Sequence, residues 1–193
     1  MAEEKDLAGW IIESGRRLYE RGLIVAADGN LSCRMADGNI LITPSGLAKG
    51  NLRKEQLILL SPEGKAQASA YRPSIETSMH LGLYRENPNI AAVVHCHAPF
   101  AAAYACAGRL LDLSLLPEGQ GCIGSLHLLP YFPPGSAELA QAVASLARQG
   151  KCVLLAKHGL VAWGQSPAEA LAIAEATEQL AKVNYLCEQL QRI

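Results

Sequence analysis

Residues 91–100 read AAVVHCHAPF. Small and β-branched residues lead into two histidines one residue apart, and Pro99 closes the run. A short apolar run between Pro88 and Pro99 predicts a buried strand over residues 90–98. Alternate residues of a strand share a face, so His95 and His97 project together and Cys96 points the other way. Two imidazoles on one buried face need partners, because an unpaired buried polar ring is costly. Either hydrogen bonds satisfy both rings, or they share one ion, as Zn–N bonds of ~2.0–2.1 Å allow.

The flanking sequence alternates helices with strands. Leu7, Trp10, Ile11, Ser14 and Leu18 recur at helical spacing and predict a helix over residues 3–21, stopped by Gly22. NLSCRM and NILIT predict a hairpin around the Asp37–Gly38 turn. QLILLS predicts another strand, and RPSIETSMHLGLYRENP a helix over residues 74–86. PFAAAYACAG reads as a helix closed by Gly108. SAELAQAVASLARQG reads as a helix from an N-cap at Ser136 to Gly150. KCVLLAKHGLVAWG predicts two short strands bent at Gly159. The closing helix opens with Ser166, Pro167 and Glu169 as a capping box. Strands in hairpins as well as between helices imply one α/β domain, residues 1–193, with a mixed and largely antiparallel sheet.

Composition narrows the function. The 193 residues are 50% hydrophobic, enough for one real core, and the net charge of −1 leaves no basic stripe for nucleic acid. No run approaches the about 20 apolar residues that cross a bilayer. The acidic start, MAEEKDLAGW, does not read as a secretory signal. Six cysteines without a CxxC pair, mostly in apolar runs, predict buried free thiols in a reducing cytoplasm.

A second segment strengthens the metal reading. His158 ends an apolar strand just before Gly159, a position from which a ligand is aimed at a site. Three imidazoles with one exchangeable position form the pattern of catalytic zinc. His80 and His127, in a helix and an apolar loop, read as structural or supporting residues. Glu76 sits near a predicted helix start; it either serves the helix dipole or faces the metal as ligand or base. Gly29 and Asn30, Ser45 and Gly46, and Ser74 lie in turns whose N–H groups could hold a phosphate without Lys or Arg. Lys157, beside His158 in an alternating strand, should face away from the site.

The motifs GLIVAADGNLSCR, ILITPSGLAKGNL, RPSIETSMHLGLYRENPNIAAVVHCHAPFAAA and LLAKHGLVAWG, in this order, resemble the class II aldolase/adducin family over residues 8–187. The resemblance implies a three-layer αβα fold with a central, mostly antiparallel sheet. It implies one Zn2+ per subunit on His95, His97 and His158, with Glu76 as resting ligand and catalytic acid/base. It implies phosphate binding by Gly29, Asn30, Ser45, Gly46 and Ser74, and a cytoplasmic homotetramer with sites between subunits. The activity expected is cleavage of a small ketose 1-phosphate, similar to L-fuculose 1-phosphate, into dihydroxyacetone phosphate and an aldehyde through an enediolate. Epimerase, methylthioribulose-1-phosphate-type dehydratase and decarboxylase are the alternatives on the same scaffold. The zinc histidines argue against a non-enzymatic adducin-like module. Three departures stand out. Ile75 replaces a second serine before the glutamate, and LDLSLLPEGQG holds no tyrosine. The chain printed ends at Ile193, where the family carries another tyrosine on a tail; Glu118 is the substitute acid/base that the loop offers.

Overall fold

The computed structural model describes residues 6–191. Seven strands form one sheet: β1 (Asn30–Arg34), β2 (Ile40–Ile42), β3 (Ile58–Leu60), β4 (Ala92–Cys96), β5 (Leu126–Leu129), β6 (Cys152–Leu155) and β7 (Gly159–Gly164). Six α-helices accompany it: α1 (Leu7–Glu20), α2 (Thr77–Glu86), α3 (Pro99–Cys106), α4 (Pro117–Ile123), α5 (Ala137–Ala144) and α6 (Pro167–Leu190). The strand order is β3-β2-β1-β4-β7-β6-β5, and every pairing is antiparallel except β5 with β6.

Strand alternation divides the core into two layers. Leu31, Cys33, Val94, Cys96, Leu154, Leu160 and Ala162 face α1, α3 and α6. Val93, Val153, Leu155, Val161 and Trp163 face α2 and α5. The fold is therefore the expected three-layer αβα domain with a mostly antiparallel sheet. His95 lies on the α2 face, directly across from Asn30 on β1 and Val161 on β7.

Several elements differ from the sequence expectation. The helix expected over residues 3–21 is Leu7–Glu20, with the Asp6 carboxylate accepting the Gly9 N–H at 2.8 Å; residues 3–5 lie outside the described region. The helix expected from residue 74 starts at Thr77, because the Ser74 carbonyl closes a turn onto the Thr77 N–H and hydroxyl, leaving Glu76 as N-cap. The helix from Ser136 ends at Ala144, and residues 145–149 form turns. The strands flanking His158 are separated by a hairpin turn in which Lys157 has φ +60°, so the reversal falls before Gly159. His127 belongs to β5 and not to a loop. Half of the capping box forms: Ser166 Oγ accepts from the Glu169 N–H, but the Glu169 carboxylate takes the N–H of Gln165. The six cysteines are free thiols, as expected, but only Cys33, Cys96 and Cys152 are buried; Cys106 is exposed, and Cys122 and Cys187 are half-buried. Among the described residues no helix is long and apolar enough to cross a membrane.

Gly159 is where β7 passes closest to the end of β4. A Cβ there would lie 2.5 Å from the Cys96 carbonyl oxygen and 2.9 Å from His97 Cδ2. Gly159→Ala should therefore destabilise the fold by about 2–3 kcal/mol, read from denaturant unfolding.

Candidate metal centre

Each ligand candidate is held by a different local device. His95 sits inside β4, fully buried, and its Nδ1 lies 2.8 Å from the Leu160 carbonyl of β7. A carbonyl only accepts, so Nδ1 carries the proton and Nε2 is turned into the site. His97 lies one residue past β4. The chain after it is anchored because Glu178 of α6 accepts the N–H groups of Phe100 and Ala101, at 3.1 and 2.9 Å, at the start of α3. His158 sits in the β6–β7 hairpin turn. Glu76 caps α2 and is buried.

These four side chains meet. His95 Nε2 is 3.2 Å from His97 Nε2 and 3.0 Å from Glu76 Oε2; His158 Nε2 is 3.2 Å from Glu76 Oε1. One ligating atom from each of His95, His97 and His158 fits within a 4.8 Å group. Burial, reinforced by the neighbouring His95, pushes His158 down to about 4 and lowers His97. Burial would raise Glu76, but His95, the Asn30 amide and His158 outweigh it and hold the carboxyl well below the usual range. Glu76 Oε1 is buried and accepts no hydrogen bond. Three imidazoles and a carboxylate converging this closely form a donor set that could hold a cation. Donors of a tetrahedral zinc site lie ~3.3 Å apart when the bonds are ~2.0–2.1 Å. Three of the separations, 3.0–3.2 Å, are close to that value, and the three histidine donors lie within 4.8 Å of one another.

A cleft of about 350 Å³ opens beside this cluster. All five residues expected at a phosphate line it: Gly29, Asn30, Ser45, Gly46 and Ser74, together with Glu76, His97 and His158. His95 lies behind, at the floor. The turns are tight: Gly29 and Gly46 have φ of +66° and +75°. A Cβ on Gly29 would also lie 2.7 Å from the His95 carbonyl oxygen. The Ser45 N–H is already bound to the Arg72 carbonyl, which leaves its hydroxyl for a ligand. Both ends of the Asn30 amide are engaged, Nδ2 with Glu76 at 2.9 Å and Oδ1 with His80 at 2.5 Å.

Sequence reasoning missed two residues here. Lys49 lines the cleft, whose turns were read as able to hold a phosphate without Lys or Arg. Its ammonium donates to the carbonyls of Ala27 and Leu47, at 2.7 and 2.9 Å, and so ties two cleft turns together. Asp28 stands 3.5 Å from His97 Nδ1. Nothing in ADGNLSC or GLAKGNL marks either one, since both contacts depend on how distant turns pack. Two further expectations resolve differently. Glu118 is exposed in the first turn of α4 and does not line the cleft. Lys157 is in the hairpin turn, not on an alternating strand, and its ammonium lies 5.8 Å from the Tyr131 ring centre.

Residues 10–185 match the model of the Class II Aldolase and Adducin N-terminal domain. The chain belongs to this family. Among class II aldolase relatives, it is 35% identical over 177 residues to the 3-oxo-tetronate 4-phosphate decarboxylase of Haemophilus influenzae, covering 90% of this chain and 84% of that one. It is 34% identical to an L-fuculose phosphate aldolase of Methanococcus maripaludis, covering 91% and 94%. Its structure superposes with a TM-score of 0.90 on Escherichia coli YgbL, a candidate aldolase/epimerase/decarboxylase, at 34% identity over 95% of this chain and 90% of that one. Class II aldolases are metal-dependent, and the histidine cluster is where this member could hold its ion.

Burial pushes the Lys49 ammonium down to about 8 from the ordinary 10.5. Between those two values the unfolded chain binds the extra proton. Relative to Lys49→Met, the parent should gain stability as pH rises through that window and hold no such trend below it. Denaturant unfolding of both proteins at a series of pH values checks this.

Proposed function

We propose that the protein is a zinc-dependent carbon–carbon lyase that decarboxylates a small 3-oxo sugar acid carrying a terminal phosphate, of the type named in its Haemophilus influenzae relative. The observation that carries the reaction type is the lining of the cleft: beside the histidines it holds one buried carboxylate, Glu76, and no tyrosine. Retro-aldol cleavage needs a base for the substrate hydroxyl as well as an acid for the carbon left behind. Loss of CO2 from a carboxylate releases no proton, so one acid/base group suffices.

The chain's residues divide the work. The Gly29–Asn30 and Ser45–Gly46 turns and Ser74 hold the phosphate through N–H and hydroxyl donors. Lys49 braces those turns from behind and supplies positive charge. His95, His97, His158 and Glu76 would hold the ion. When bound, a divalent ion supplies Lewis acidity toward the substrate's carbonyl end. As the bond between C1 and C2 breaks, its electron pair enters the neighbouring keto group and gives an enediolate. Glu76 takes up one proton from solvent and passes it to C2 of the enediolate. The products are CO2 and dihydroxyacetone phosphate.

Aldol cleavage of a ketose 1-phosphate is the second reading, favoured by the Methanococcus maripaludis relative. It passes through the same enediolate, so product analysis separates the two: CO2 in one case, an aldehyde in the other. A homotetramer with clefts near subunit boundaries and a cytoplasmic location belong to the same proposal. Exposed Leu110, Leu115, Leu186 and Leu190 favour an interface, and the six free thiols favour a reducing compartment. A non-enzymatic adducin-like module would carry no metal, which elemental analysis tests.

With 3-oxo-tetronate 4-phosphate and zinc, 31P NMR should show conversion to dihydroxyacetone phosphate with release of CO2. Glu76→Gln should lower kcat by about 10²–10⁴-fold. His95→Ala should abolish both zinc retention and turnover. Conversion of L-fuculose 1-phosphate alone, with none of the 3-oxo acid, would assign the aldolase reaction instead.

A further inference from the structure

Behind Glu76 lies a buried row of polar side chains that the reaction described above does not use. Tyr84 Oη is 2.8 Å from Ser32 Oγ, and Ser32 Oγ is 2.7 Å from His80 Nδ1. His80 Nε2 is 2.5 Å from Asn30 Oδ1, and Asn30 Nδ2 is 2.9 Å from Glu76 Oε2. Ser32 and His80 are fully buried; Asn30 and Tyr84 nearly so. The row joins two elements. Asn30 and Ser32 are alternate residues of β1, and His80 and Tyr84 lie one turn apart on α2.

Chemistry fixes the direction of every bond. A carboxylate accepts only, so Asn30 presents its amide nitrogen to Glu76 and its oxygen to His80. That oxygen accepts only, so His80 carries a proton on Nε2. Burial pushes His80 down to about 3, so the ring is neutral and its Nδ1 is an acceptor. Ser32 therefore donates to His80, and Tyr84, whose hydroxyl burial keeps protonated, donates to Ser32. The consequence falls on the two oxygens of Glu76. Oε2 is held by the end of the chain, whereas Oε1 has no hydrogen-bond partner and faces His158 Nε2.

We propose that Tyr84, Ser32, His80 and Asn30 form a one-way hydrogen-bond chain that pins Oε2 of Glu76 and leaves Oε1 to handle the reacting proton, with His80 as the positioning residue. This rests on the reading of Glu76 as acid/base. A reversed His80 tautomer would turn the Asn30 amide, set its oxygen against the carboxylate and drive Glu76 out of place. The chain is therefore a switch for carboxylate orientation held in one setting by the buried hydroxyls.

The test joins a spectroscopic and a kinetic measurement on the full-length, zinc-loaded protein. Long-range 1H–15N correlation spectra should show His80 as the neutral Nε2–H tautomer between pH 6 and 8, as about expected for a buried ring. An Nδ1–H tautomer or an imidazolium would overturn the proposal, whether or not any variant folds. His80→Gln keeps a donor near the Nε2 position, and His80→Leu does not. His80→Leu should lose about 10–100-fold in kcat with KM and zinc content unchanged, and His80→Gln should recover most of it. Equal losses in both would mean that the ring only fills space, and would overturn the proposal. Full activity of Glu76→Gln would overturn the functional reading and this inference with it. An inactive Glu76→Gln beside a fully active His80→Leu would overturn the inference alone.

Discussion

The hydrogen bond from His95 Nδ1 to the Leu160 carbonyl orders the centre of the molecule. It spans the β4–β7 ladder, so it exists only when the two central strands are in register. It turns Nε2 of a fully buried ring toward His97 and Glu76. The same register puts Asn30 beside His95 across the β1–β4 ladder. One antiparallel arrangement thus fixes the tautomer of a ligand and brings up the amide that holds the carboxylate. A slip by one residue would turn His95 to the α1/α3/α6 layer and bury Cys96 in its place.

The site needs the rest of the fold mainly to hold polar groups without water. Glu178 takes up the free N–H groups at the start of α3, so the chain can leave β4 at His97 and turn at once into a helix. Lys49 takes up carbonyls of two turns that no strand pairs with. Two histidines lie in the layer between sheet and α2: His95 faces the cluster and His80 the chain behind it. Their different partners, a carbonyl and an amide oxygen, put the proton on opposite ring nitrogens, Nδ1 in His95 and Nε2 in His80.

Much of this was legible in the residues. Alternation in AAVVHCHA predicts a shared face for His95 and His97, and the two rings do meet, although His97 lies one residue past β4. KHG at the end of an apolar run marks a ligand-bearing reversal, though its left-handed residue is Lys157 and not the glycine. The Asp37–Gly38 turn and the Ser166 cap follow rules that act within a few residues. Legibility fails where the physics is long-range. PEGQGCI carries two glycines and a proline, so its propensity argues against α4, which packs on α6 by apolar contact. LHLL is a half-buried edge strand only four residues long, and its parallel pairing with β6 depends on residues far along the chain. Lys49, Asp28 and His80 were visible as residues, but their partners lie in other elements, and the partners decide what each one does.

The four groups of the proposed ion site come from residues 76 to 158, drawn from a helix cap, a strand, a strand exit and a hairpin turn. No contiguous fragment shorter than that span holds them all. Loops of this length must close before the ligands meet. An ion bound at the proposed site would depend on the tertiary structure and would stabilise the native state by mass action as its concentration exceeds the dissociation constant. Metal held at that site would therefore report on the closed tertiary structure, a property that follows from topology and holds whichever substrate the cleft accepts.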